Sequence, residues 1–142
     1  MSGTLSVEER VIEKVRAVLA ADDTIVNYTK SRIFASHPAT IEAPKFPCVS
    51  LHLLDSLTVY EGTGYVQMTL QIDSWLPASQ FDMADALTLH RKIRENLHRQ
   101  NLSDSTIGVK VASASERLAG PLLYEEDTDL LHYPVQYTIV AY

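Results

Sequence analysis

From Tyr65 to Trp75 the chain alternates almost without error, Val66, Met68, Leu70 and Ile72 falling on one side and Gln67, Thr69, Gln71 and Asp73 on the other. A period of two fits a strand with one buried and one polar face. It excludes a doubly wound parallel sheet, whose strands are covered on both sides and run continuously apolar. Helices are therefore expected on one face only, leaving the Gln/Thr/Asp face to water or to a lumen. Cys48–Asp55 repeats the signal less regularly, with Val49, Leu51 and Leu53 interleaved with Ser50, His52 and Leu54.

Two helices are specified nearly as well. Ser6 and Glu9 have the spacing of a capping box, and Val7, Val11, Ile12, Val15, Val18 and Leu19 then make one stripe as far as about Ala20. A second helix is expected to begin near Ser79 or Gln80, where Met83, Ala86, Leu87, His90, Ile93 and Leu97 hold helical spacing. Asp82 and Asp85 near its start and Arg91, Lys92, Arg94 and Arg99 near its end complement the helix dipole. Asp22 and Asp23 can cap a short helical turn over residues 25–28, and Ile33 and Phe34 suggest a brief extended piece. Pro38, Pro44 and Pro47 mark a loop leading into the Cys48 strand. Two further strands are expected, Ile107–Glu116 and Asp129–Tyr142, separated by an irregular span over 118–128. The order helix, strands, helix, strands predicts one α+β domain over residues 1–142, a mostly antiparallel sheet of about four to five strands with two main helices packed on one face. The long link 56–64 carries Leu57, Val59 and Tyr60 ahead of Gly62 and Gly64 and is expected to project as a hairpin ribbon.

Composition narrows the function. With 142 residues, 46% hydrophobic and 21% charged, the chain supplies one ordinary core. No apolar run approaches the ~18 residues of a membrane span. Glu8, Glu9 and Arg10 stand where a secretory peptide needs apolar residues, so folding in a cytosol is expected. Cys48 is the only cysteine, which rules out an internal disulfide and a multi-thiolate zinc site. A net charge of −6 argues against a broad phosphate-binding surface. Among the five histidines, His90 and His98 stand two helical turns apart, too far to share a metal directly. There is no glycine-rich phosphate loop and no nucleophile elbow. No catalytic residue, metal ligand or cofactor is expected, although a pocket gathering His52, Asp73 and His132 would favour a small α+β enzyme or ligand-binding subunit. Glu125, Glu126, Asp127 and Asp129 read as a solvated acidic loop.

Surface for partners stands out instead. Of the seven tyrosines, Tyr124, Tyr133, Tyr137 and Tyr142 crowd the C-terminal end, and tyrosine is enriched at interfaces. Leu57, Val59 and Tyr60 place apolar side chains where a monomer would be polar.

Four phrases appear in a telling order: Arg32-Ile33-Phe34, Pro47-Cys48-Val49-Ser50-Leu51, Leu70-Gln71-Ile72-Asp73-Ser74-Trp75 running into a helix, and the closing Tyr133-Pro134-Val135-Gln136-Tyr137-Thr138-Ile139. In this the chain resembles bacteriophage tail terminator and head-tail joining (tail completion) proteins. The resemblance implies a virion protein of the tail-neck junction, assembled in the bacterial host cytoplasm. It implies a homo-oligomeric ring, commonly a hexamer, that caps the tail tube, stops its polymerisation and offers a docking surface to the head-neck connector. DNA would meet the protein only in passage through the bore, and no membrane, cofactor or catalytic motif is carried over. Leu57, Val59 and Tyr60 would bind a neighbouring subunit or the tube, and Tyr142 would close an intersubunit contact. Glu125, Glu126, Asp127 and Asp129 would face the bore or the docking partner. A neck adaptor or tail tube protein of the same virion is the alternative.

Overall fold

The computed structural model describes residues 5–35, 45–58 and 64–142. Its first helix, α1 (Val7–Ala20), starts where the sequence places it: the Ser6 hydroxyl accepts the Glu9 N–H, and the Glu9 carboxylate reaches back to the Ser6 backbone. Val11, Val15 and Leu19, spaced by four, are its buried residues. The expected short turn is a second helix, α2 (Asp23–Thr29), capped by the Asp22 carboxylate on the Ile25 N–H. Strand β1 (Ile33–Phe34) follows, then β2 (Cys48–Thr58) and β3 (Val66–Pro77).

Helix α3 (Met83–Leu97) begins later than Ser79 or Gln80. Its cap is Asp82, reciprocally bonded with Asp85, a capping box built from two aspartates. Its buried line runs through Ala86, Leu89, Ile93 and Leu97, and Met83 and Leu87 are exposed.

Strand β4 (Val111–Ala119) also starts later than Ile107. Residues 104–109 form a turn instead, because the Asp104 carboxylate takes the N–H groups of Thr106 and Ile107 and Gly108 adopts φ +85°, a conformation glycine accepts freely. Within the span expected to be irregular lies a short strand, β5 (Leu123–Glu125), before β6 (Leu130–Ala141).

The strands form one six-stranded sheet in the order β1-β2-β3-β6-β4, with β5 paired to β6. All pairings are antiparallel except β1 with β2. Register decides which side chains meet: Leu51, Ile72 and Val135 share one row, and Leu53, Leu70 and Tyr137 share another. Except at Leu53, which is exposed, this face packs against the three helices and forms the main core, which includes Leu19, Ile25, Met68, Leu89 and Ile139. Each fully buried leucine or isoleucine there is worth roughly 1.5–3 kcal/mol.

The opposite face is not simply polar and open, as the alternation of β3 suggests. Gln67 is exposed, but Thr69 and Asp73 are buried, and Cys48, Trp75 and Leu130 make a second small apolar cluster there with Phe34 and Phe46. The ribbon expected over 56–64 is in part ordinary sheet: Ser56, Leu57 and Thr58 pair with Met68, Gln67 and Val66, level with the end of β6 at Ala141. Val59 and Tyr60 lie outside the described residues.

Candidate functional site

Three successive rows of the outer face place Cys48, Trp75 and His132 side by side, then Ser50 and Asp73, then His52 and Gln71. Side chains on one face of neighbouring rows reach each other. Asp73, whose side chain is 2% exposed, is the hub. His132 Nε2 lies 2.9 Å from its Oδ1 and His52 Nε2 lies 3.1 Å from its Oδ2. Gln71 Nε2 donates to both oxygens, at 3.0 and 3.2 Å. Trp75 Nε1 donates to Ser50 Oγ at 3.0 Å, and its ring stacks on His132 with centroids 3.8 Å apart and planes 8° from parallel. A buried carboxylate persists when its oxygens are met by donors in this way.

His52, Asp73 and His132 are thus brought together, yet not as a nucleophilic site. A relay needs the serine on one ring nitrogen and the carboxylate on the other. Here Ser50 Oγ and Asp73 Oδ2 both approach Nε2 of His52, at 3.1 Å each, and Ser50 is fully buried. The group fastens β2, β3 and β6 together on the face the helices do not cover. Among the described residues no three His, Cys, Asp or Glu side chains are placed to hold a metal ion. Surface hollows of about 540, 560 and 440 Å³ are lined by other residues. Cys48 is buried, and burial pushes its thiol up to about 12, against the pull of Arg32, so it remains a thiol.

The acidic loop tightens the β5–β6 connection, and its carboxylates divide into two kinds. Glu125 turns inward, its Oε1 3.5 Å from Nδ1 of His132 and its Oε2 accepting the Thr128 hydroxyl. Asp129 adopts φ +54°, accepts the Tyr124 hydroxyl at 2.8 Å, and gives its own carbonyl to the Ala78 N–H. That bond to Asp129 holds the Tyr124 phenol above its ordinary range. Glu126 and Asp127 project into solvent.

Leu57 is 61% exposed on β2. Tyr142, 39% exposed, lays its ring 4.1 Å from that of Tyr65 and beneath Lys110, whose backbone pairs with it in both directions. Sequence reasoning missed a second convergence. His90 and His98, set apart along the chain, both meet Glu116 of β4: His90 Nε2 lies 3.0 Å from its Oε1, and the Glu116 N–H donates to His98 Nδ1 at 2.9 Å. Arg94 adds a bond to Oε2 at 3.0 Å, so this arginine of the basic helix end serves the protein's own fold. The only signal in the sequence is the helical spacing of His90 and Arg94 toward one strand, and it does not identify the strand.

No protein-family model and no curated relative matches the sequence. Among solved structures, a chain of the "Virion of native gene transfer agent (GTA) particle" matches with a TM-score of 0.67 at 12% identity, over 89% of this chain and 90% of that one. At that identity the likeness is one of fold.

Proposed function

We propose that this chain is a structural virion protein of a phage-like particle, and that its role is the ring that caps the tail tube, ends tube growth and receives the head-neck connector. The reading is carried by the fold shared almost end to end with a chain of a gene transfer agent virion. The phrases quoted from the sequence point to the same class. Partners are then copies of itself, six in the commonest arrangement, with tube protein on one side and connector on the other.

The physical properties agree with a passive ring at the tail-neck junction. The chain carries net charge −6, and the middle of the outer sheet face presents Gln67, Gln71, Gln136 and Thr138, none of them charged. A neutral or acidic bore lets DNA slide, whereas a basic one would hold phosphates by counterion release. Glu126 and Asp127, outside the inward bonds that hold Glu125 and Asp129, are the carboxylates available to a bore or docking partner.

Native mass spectrometry and negative-stain microscopy of the purified full chain test this. The expected particle is a closed ring near six times the 15.9 kDa protomer, and adding it to growing tail tubes stops their elongation. Open tubes grown from this chain alone identify a tube protein instead. A persistent monomer at high concentration ends the ring reading.

A further inference from the structure

We infer that neighbouring copies of this chain join head to tail through two unlike edges of the sheet, the outer stretch of β2 on one copy meeting the β4–β5 corner of the next. The inference rests on the ring reading and specifies its contact. A closed ring is built from heterologous contacts, so each protomer needs two different complementary patches.

The sheet offers such a pair. On one side β1 ends its pairing with β2 at Ser50, and beyond it Leu54, Asp55 and Leu57 are exposed. On the other side the corner exposes Arg117, Leu118 and Leu123. A β-bulge accompanies each patch, between Leu53 and Asp55 on β2 and between Glu116 and Leu118 on β4, so that Leu54 and Arg117 are the extra residues. Each side sets exposed leucines beside one charge, Leu53, Leu54 and Leu57 with Asp55 on β2 and Leu118 with Arg117 on β4, and the charges are opposite. Neither Asp55 nor Arg117 has an ion-pair partner among the described residues.

The contact is made by side chains rather than by adding a strand to β4. Over its first part, as far as Glu116, the outer backbone of β4 is already bonded from within: Ser103 Oγ accepts the Val111 N–H and donates to its carbonyl, the Arg99 N–H binds the Ala114 carbonyl, and His98 takes the Glu116 N–H. A strand edge so interrupted offers another chain no continuous ladder over 111–116.

Charge swapping tests the contact in the full-length protein, with assembly measured by sedimentation and folding checked by circular dichroism. Asp55→Arg alone or Arg117→Asp alone sets like charges against each other and raises the concentration needed for half assembly at least about tenfold. Mixing the two variants restores rings, because when the two alternate every contact again joins one arginine to one aspartate. Leu118→Asp gives the same loss of assembly without any swap. If wild type forms rings and these variants assemble as well as it does, the contact is wrong and the ring reading stands. If wild type itself never assembles, both fall.

Discussion

Asp73 shows how much can hang on one side chain. It sits in a row with Ser50, one row from His52 and Gln71 and one from Trp75 and His132, so a single carboxylate collects three partners from three strands. Asp73→Ala leaves those partners facing a void, and stranding buried hydrogen-bonding groups in this way typically costs about 1–3 kcal/mol. Urea denaturation should show that loss with the fold otherwise intact; a change within about 0.5 kcal/mol would mean the cluster is incidental. Tyr137 makes the opposite case. Its hydroxyl is buried without a hydrogen-bond partner among the described residues, and burial pushes its phenol far above the usual range. Tyr137→Phe keeps the ring and removes the orphaned group, so stability should hold or rise by about 1 kcal/mol. The sequence names His52, Asp73 and His132 as a group worth finding. It cannot show that they are packed solid, because that depends on strand register, and the three are scattered along the chain.

Elements are legible where local chemistry specifies them. The Ser6–Glu9 box and the alternation of β3 each need only a few neighbouring residues, and both stand where expected. Local reasoning fails where a side chain competes for the backbone. Asp104 folds its turn out of residues assigned to a strand, and the aspartate pair Asp82 and Asp85 starts α3 later than the expected Ser79 or Gln80. Strand β5 is three residues long, too short for periodicity to register. The tie between α3 and β4 carries a pH signature. Burial lowers the His90 pKa, with Glu116 pulling the other way and Arg94 adding to the fall. A histidine favoured neutral in the fold binds fewer protons there than in the unfolded chain. Its contribution is therefore full above the unfolded value of about 6.5 and is lost as pH falls from there through the lower folded value. Urea midpoints at pH 7.5 and 5.5 should fall further apart in wild type than in His90→Gln; equal gaps would remove His90 from the account.

For the whole molecule, alternation foretells one face and hides the other. Helices lie on a single side of the sheet because β3 alternates, and the main core follows from that. The far side holds a second cluster around Trp75, which the same alternation disguises, since Thr69, Gln71 and Asp73 leading up to it read as a wet surface. The two exposed edges belong to this scale too, since they are separated by the whole width of the sheet and meet only between molecules. If folded copies bind one another, mass action makes the thermal midpoint climb with protein concentration. Differential scanning fluorimetry over a hundredfold dilution series should show that rise in wild type and not in Arg117→Asp.

Trp75 is the only tryptophan in the chain, and it lies flat against an imidazole inside the Asp73 cluster. Its emission therefore comes from one spot, where three strands are riveted together. Light from that buried indole will shift to the red when the rivet opens to water, so the intact protein carries a label-free optical gauge of its own outer sheet face.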